Sequence, residues 1–422
     1  MSVRAQPEAD PVLDPPEEVR EIAATLERAG FETWCVGGAV RDAFLGLRHL
    51  DWDLATAATP PQVRRAFKRT IPVGEQFGTI GVLDRHGRMH EVTTFRRDVR
   101  TDGRHAEVEF GASLDEDLAR RDFTINAIAF SPASGRLHDP FHGRDDLKAG
   151  VVRAVGVAHD RMVEDRLRAL RAIRFAGRFG FALEPETWQA IVDSAPHLPR
   201  LSRERIKQEL EKTMEQVARP STALERWHSA GAMRTLLPAL AGQPRSSLGA
   251  ADALARPDDT RDPGRKRRRT LLRLATLFVG LPGDVVRSEV RSLRFSNRDI
   301  EWLTQLAVGA SVLADGVRGC VLGVSDATDG TLRRWAATTG RARLADTLRV
   351  TMATLPEAPA PGHPAPDRAV ARRARSLYRR ALRVAYRDPV EIADLAVDGE
   401  DLMREGGVSR GPALGEMLRT LR

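Results

Sequence analysis

Cysteine is nearly absent: Cys35 and Cys320 are the only two in 422 residues, and they lie far apart. Such a pair argues against a disulfide framework and a structural zinc site, and it fits a reducing cytoplasm. Long apolar runs are missing as well. No stretch reaches the ~20 apolar residues needed to span a bilayer, and the best run, Leu271 to Pro282, is interrupted by Arg273. Residues 1–15 are acidic and proline-rich with no apolar core, which excludes a secretory signal or transit peptide and reads as a disordered tail. No internal repeat recurs at a fixed period. Lysine is scarce beside arginine, the formal net charge is +8, and the sequence pI is about 10.2. A basic balance suits a nucleic-acid partner, because phosphates reward neutralising side chains. Arginine-rich usage can equally reflect genome composition.

What is present is a globular chain, 42% hydrophobic and long enough for two to four modules. Glu17 to Gly30 reads as an amphipathic helix ending at a glycine, and Phe31 to Val36 as a strand. Gly37-Gly38 opens a helix through Leu45, and Asp51 to Thr56 is strand-like. Thr59-Pro60-Pro61 opens another helix with Thr59 as its N-cap. Gly78 to Leu83 and Arg88 to Phe95 pair across a turn, and Val108 to Phe110 and Ile125 to Phe130 are further short strands. From Gly143 the character becomes helical, with Arg/Glu faces over Glu164 to Phe179 and Leu201 to Val217. Arg256 to Arg269 and Pro356 to Asp367 read as linkers. The expected fold class is α+β: a small mixed-sheet head over 16–142, then an all-helical neck (143–215), body (216–330) and tail (331–422).

Four segments carry chemistry. Gly37-Gly38 lets backbone N–H groups approach a phosphate, with Arg41 one turn on to grip an oxygen. A dozen residues later comes Asp51-x-Asp53. Positions i and i+2 of a strand share a face, and two such carboxylates repel unless a hard divalent cation bridges them. Nucleotidyl transfer needs that cation, Mg²⁺ or Mn²⁺, to activate a hydroxyl and neutralise the leaving pyrophosphate. A lone pair of this kind is an ordinary surface feature; after a glycine turn it reads as a metal site. Glu91 is either a third catalytic carboxylate or a surface glutamate. Arg120-Arg121-Asp122-Phe123-Thr124-Ile125-Asn126 mixes phosphate-holding, ribose-bonding and core residues.

The fourth segment is Glu164-Asp165-x-x-Arg168-x-x-Arg171-x-x-Arg174. An aspartate accepting from an exocyclic amine and an arginine donating to the adjacent ring nitrogen suit cytosine and adenine. They repel uracil and guanine, which show a carbonyl there. The competing reading is a solvated ion-pair helix.

In order and spacing these segments resemble the bacterial-type (class II) tRNA nucleotidyltransferases, the CCA-adding enzymes, and their poly(A) polymerase relatives. The matching strings are CVGGAVRDAFLG, DWDLAT, RRDFTINAIAF, the Asp139–Leu147 stretch and EDRLRALRAIRFAGRFGF, with weaker matches at VRSLRFSNRDIEWL and LAVDGEDLMREGGVSRGPALGEML. The resemblance implies a DNA polymerase beta-like nucleotidyltransferase head, metal binding by Asp51 and Asp53, and nucleotide contacts from Gly38, Arg41 and Arg121. It implies ribose contact by Asp122, base reading by Asp165 and Arg168, phosphate support from Arg171 and Arg174, and a hinge at Asp139–Leu147. The implied activity is template-independent addition of C and A from CTP and ATP to the 3′ end of tRNA, in the cytoplasm and without a membrane. A CC-only or A-only enzyme and a poly(A) polymerase are the neighbouring alternatives, and a non-catalytic RNA-binding protein is a more distant one. Glu75-Gln76 stand where poly(A) polymerases of this type carry a basic pair. The loop Arg96 to His105 is charged, with Ala106 where relatives have proline. After Thr213 no His…His-Asp…Asp pattern occurs, so no phosphohydrolase domain is expected.

Overall fold

The computed structural model describes residues 13–47, 51–101, 106–355, 368–407 and 409–421. Most of the expected N-terminal tail, the tip of the Arg96–His105 loop and the Pro356–Asp367 linker lie outside the described residues. The chain forms two compact units. One comprises the residues up to Arg205 together with Ser229–Leu236; the other comprises Ile206–His228 and the residues from Leu237 onward.

The first unit is built on a mixed sheet. Its elements in chain order are α1 (Glu17–Arg28), β1 (Thr33–Val36), α2 (Gly38–Phe44), β2 (Asp53–Thr56), α3 (Pro60–Ala66), β3 (Thr70–Gly74), β4 (Thr79–Leu83), β5 (Met89–Thr94), β6 (Arg96–Thr101), β7 (Ala106–Phe110), α4 (Leu114–Ala119), β8 (Ala129–Phe130), β9 (Leu137–His138), α5 (Gly143–Ala149), β10 (Val151–Val152), α6 (Ala158–Glu164), α7 (Leu167–Phe179), β11 (Ala182–Leu183) and α8 (Pro185–Ser194). The sheet order is β3-β4-β5-β2-β1-β8-β9, with β2 and β5 parallel and the other neighbours antiparallel. α1 buries Val19, Ile22, Ala23 and Leu26, the apolar stripe of an amphipathic helix. At α3 the Thr59 N–H donates to Gln62 Oε1 at 2.8 Å, half of a reciprocal cap.

Several expected elements change. Arg96 to Thr101 is a strand rather than a loop, paired with β7 in a separate hairpin. β3 was not expected at all. Ile125 to Phe130 is strand only at Ala129–Phe130. Thr124 to Asn126 turns instead, because its side chains are bonded elsewhere: Thr124 donates to Asp146 at 2.7 Å and Asn126 to Asp122 at 2.8 Å. Glu164 to Phe179 is not one helix. α6 ends at Glu164 and α7 begins at Leu167, with Asp165 extended between them (φ −147°, ψ 102°).

The Asp139–Leu147 stretch is a tightly bonded turn running into α5. Asp139 accepts from the N–H groups of Gly143 and Arg144 at 2.8 and 2.9 Å, while His142 takes a left-handed φ of 57°.

The second unit is all helical. Leu271 to Pro282 is not the best apolar run, contrary to expectation: Asn297–Leu322 is long and apolar enough, by length and composition, to cross a membrane. It buries Leu303, Leu306, Ala310, Leu313 and Val317 and packs against Gly283–Ser292, Arg341–Thr354 and Arg368–Arg387, as a core helix does. Expected linker residues from Pro263 onward belong to the helix Pro263–Leu277. Asp262 caps that helix, accepting from Gly264 and Arg265 at 2.8 and 3.1 Å, and Arg268 reaches the fully buried Asp346 at 2.8 Å. Within the same helix Arg273 is 1% exposed. It donates to the carbonyls of Met214, Val217 and Leu254 at 2.9, 2.9 and 3.0 Å. Burial pulls its guanidinium down to about 10, so it remains a cation at the carbonyl end of the helix Arg203–Gln216, where positive charge is favoured.

Gly143 tests the rigidity of the α5 turn. A Cβ there would collide with the Thr124 carbonyl and stand 2.9 Å from Ile128 Cγ1. Gly143→Ala is expected to cost about 1–3 kcal/mol, read as a lower melting temperature, because backbone rather than a flexible side chain must yield. An unchanged melting temperature would show that this turn can move.

Candidate active site

The site begins with sheet register. β1 is buried throughout and pairs antiparallel with β2 so that Val36 faces Asp53. The residue after Val36 is Gly37, so the register brings the second aspartate beside the glycine turn. Gly37 has φ 75°, a conformation that favours glycine, and a Cβ there would stand 2.9 Å from Arg121 Nη1. The turn is what calls for glycine, and the Arg121 guanidinium closes over the space that a side chain would enter.

β2 also pairs in parallel with β5, Leu54 beside Val92, so Asp53 and Glu91 come one residue earlier on neighbouring strands. Asp53 is half-buried, while Asp51 and Glu91 are exposed, Asp51 just ahead of the strand. Asp53 is pushed up to about 6, first by burial and then by the charges of Asp51 and Glu91, against the pull of Arg121. Excess negative charge on a half-buried carboxylate is what a bound cation relieves, and the donors are hard oxygens suited to Mg²⁺. Asp51 and Asp53 therefore fit a divalent ion. Among the described residues no three His, Cys, Asp or Glu side chains gather for a metal, so Glu91 does not complete a protein-only cage.

An arginine wall lines the same cleft as Asp53. Asp117, at the end of α4 and 1% exposed, receives Arg120 at 2.7 Å and Arg121 at 3.0 Å. Burial opposes its ionisation, but the two guanidiniums hold it below its ordinary value of 3.8. Asp122 accepts from Asn126 Nδ2 at 2.8 Å and pairs with Arg171 Nη2 at 2.7 Å. It too is held low against burial by Arg171. One buried acid thus orients two arginines, and a second acid ties α7 to the Arg121–Asn126 turn.

The remaining wall is the joint between α6 and α7. Asp165 accepts from the Leu167 N–H at 3.0 Å and pairs with Arg205 at 2.6 Å. Arg168 donates to Glu164 at 2.7 Å and to the carbonyls of Arg161 and Arg120 at 3.2 and 3.1 Å. The expected pairing of Asp165 and Arg168 on one helix face is replaced by a bend: Asp165 precedes the helix and Arg168 stands in its first turn. Gly37, Gly38, Asp53, Arg120, Arg121, Asp122, Asn126, Asp165, Leu167, Arg168, Arg171 and Arg205 line one cleft of ≈ 330 Å³. That volume lies in the range of ligand pockets, ~300–1,000 Å³. The lining suits a polyanion carrying a polar ring.

Two expected nucleotide-binding residues stand behind this wall. Arg41 is 4% exposed; it pairs with Asp42 at 2.6 Å, donates to Asn126 and lies 5.0 and 4.9 Å over the rings of Phe175 and Phe179. Arg174 is 3% exposed and lies 4.5 Å over the Phe175 ring, because its step along α7 carries it into the core. Neither lines the cleft, and neither does Asp51 or Glu91. Sequence reasoning missed Arg205, which lies 40 positions beyond Asp165 in a run that reads as a solvated Arg/Glu face.

The chain matches the family model of the poly A polymerase head domain over residues 33–153. It also matches the probable RNA and SrmB-binding site of polymerase A over 180–243. It is 46% identical over 203 residues to the CCA-adding enzyme of Lactiplantibacillus plantarum, covering 47% of this chain and 49% of that one. With the CCA-adding enzyme of Lactobacillus delbrueckii subsp. bulgaricus it shares 37% identity over 300 residues, covering 70% of this chain and 72% of the relative. The match thus spans about half the length of the first of these curated relatives and nearly three quarters of the second. Among solved structures, the Bacillus stearothermophilus CCA-adding enzyme in complex with CTP aligns with TM-score 0.72 and 32% identity, covering 97% of this chain and 92% of that one.

Asp117 provides a pH-resolved test of the arginine wall. Its folded value lies below 3.8, so its ionised pairing stabilises the fold above that pH and is lost as pH falls below it. Asp117→Asn is expected to lower stability by roughly 1.5–3 kcal/mol at neutral pH, the usual worth of hydrogen bonds to charged groups. The gap from the parent protein, followed by denaturant melts, should narrow below pH 3.8. A gap independent of pH would contradict the pairing.

Proposed function

Because the chain belongs to the family of the CCA-adding enzymes, we propose that it adds C and A nucleotides, from CTP and ATP, to the 3′ end of tRNA and releases pyrophosphate. The observation that carries this reading is the one cleft that Asp53, Arg120, Arg121, Asp122, Arg171, Asp165 and Arg168 line together. A nucleoside triphosphate needs these chemistries in one place: cations for its phosphates, and an acceptor and a donor for its base. Asp51 and Asp53 would hold a divalent cation, Mg²⁺ or Mn²⁺, whose chemistry there is to activate the primer hydroxyl and neutralise charge on the leaving group. The arginines bind the triphosphate, and Asp122 with Asn126 meets the ribose. Asp165 accepts from the amine of cytosine or adenine while Arg168 donates to the ring nitrogen. The chain's contribution is position and charge rather than covalent chemistry. The scarcity of cysteine supports a cytoplasmic setting.

The poly A polymerase head match favours a second reading, a poly(A) polymerase or a partial CC- or A-adding enzyme. Extension of tRNA primers lacking CCA, with CTP and ATP supplied separately and together, separates the readings. Addition of CCA and then arrest is expected, whereas long A tails on generic RNA would sink the tRNA reading. Asp53→Ala should lower kcat by roughly a thousandfold or more while leaving tRNA binding intact, since it removes a metal ligand rather than an RNA contact. Unimpaired catalysis would overturn the metal assignment.

The helix Arg368–Arg387 supports the RNA side. Arg368, Arg372, Arg375, Arg379 and Arg383 form an exposed stripe at helical spacing, opposite buried Leu377, Ala381, Val384 and Ala385. Replacing Arg372, Arg375 and Arg379 by alanine should weaken tRNA binding and reduce the slope of log affinity against log salt by about one per lost phosphate contact. An unchanged slope would remove this helix from the binding surface.

A further inference from the structure

We infer that Arg205 is a positioning residue for base selection: it fixes the plane of the Asp165 carboxylate and so contributes to the preference for amino-bearing bases. The inference rests on the base-reading role proposed for Asp165. Asp165 lies at the extended joint between α6 and α7, outside either helix. Two donors constrain its side chain, one on each oxygen. The Leu167 N–H reaches Oδ1 at 3.0 Å, and Arg205 Nη2 reaches Oδ2 at 2.6 Å. One bond alone would leave the carboxylate free to pivot about it. Two bonds from different elements fix the plane, and each oxygen keeps a further lone pair for an incoming amine.

Arg205 can do this because it is itself anchored. It sits in the first turn of the helix Arg203–Gln216, its backbone N–H donating to Ser202 Oγ at 3.4 Å, and its side chain lines the cleft. The side chains of Arg205 and Asp165 are 32% and 25% exposed, so the pair contributes little to global stability. Its consequence is local. Arg168 stands one turn from Asp165 with its own guanidinium committed to Glu164. Without Arg205, the Asp165 carboxylate would compete for Arg168, and the acceptor and donor that a C or A ring must meet would pair with each other instead.

The test measures kcat and KM for CTP, ATP and UTP on a tRNA primer, using the full chain with Mg²⁺. The variants are Arg205→Ala, Arg205→Lys, Asp165→Ala and the Arg205→Ala/Asp165→Ala double variant. Arg205→Ala should lower the kcat/KM ratio of CTP over UTP by roughly tenfold, the effect of one lost charge-assisted hydrogen bond. Arg205→Lys should recover most of that ratio. Arg205→Ala should add nothing in the Asp165→Ala background, because both act through one carboxylate.

A CTP-to-UTP ratio within about twofold of the parent value would overturn the proposal, as would an equal loss for all three nucleotides or an additive double variant. If Asp165→Ala itself leaves the ratio unchanged, the base-reading role fails and takes this inference with it. If Asp165→Ala collapses the ratio and Arg205→Ala does not, only this inference fails. Melting curves for each variant exclude misfolding, and Arg205→Gln replaces Arg205→Ala if the latter does not fold.

Discussion

The pairing of Val36 with Asp53 governs the whole site. A shift of one residue would turn every side chain of β2 to the other face. In the observed register, the strand that ends at the glycine turn lies beside the strand that begins with the carboxylate. The parallel pairing of β2 with β5 then brings Glu91 alongside. Gly37, with its left-handed φ of 75°, turns the chain at the end of β1 beside Asp53, and the Arg121 guanidinium lies over it. Register thus brings the second aspartate, the turn and the first arginine to one place.

Around the strands the charges of the cleft are arranged in ion pairs. Asp117 holds Arg120 and Arg121, Asp122 holds Arg171, Glu164 holds Arg168, and Arg205 holds Asp165. Every cation facing the cleft has a carboxylate behind it. Such pairing holds the guanidiniums that line the cleft in fixed places. Arg41 shows the limiting case. It lies over Phe175 and Phe179 and donates to Asn126, a structural use of a residue whose position near the turn suggests direct contact.

The helical half follows a different rule. Its charges are used for cohesion: Arg273 ties the end of the helix Arg203–Gln216 to Leu254 through three carbonyls, and Asp346 anchors Arg268 and Arg349 at 2.8 and 3.2 Å. Buried charges such as Arg273 and Asp346 must be met by partners, which ties together the segments that supply those partners. The long apolar helix Asn297–Leu322 is the core around which they are arranged.

Much of this was legible in the sequence where the signal is local. Glycine pairs, alternating strands, proline-led helix starts and the spacing of Asp51 and Asp53 are written in neighbouring residues, so the mixed-sheet head, the helical remainder and the principal site motifs could be read directly. The bend at Asp165 and the turn at Thr124–Asn126 could not, because Asp165 is bonded to Arg205 and Thr124 to Asp146, partners far along the chain; the helix beginning at Pro263 did carry a local signal, the Asp262 cap ahead of a proline, inside a charged run that reads as a linker. The same holds within the site. Sequence determined which residue types are available to hold a cation, phosphates and a base. Tertiary structure decided which of them face the cleft: it admitted Arg205, buried Arg41 and Arg174, and left Glu91 exposed at its edge. Side-chain direction in a packed protein is set by what lies opposite, and for these residues what lies opposite comes from another part of the chain.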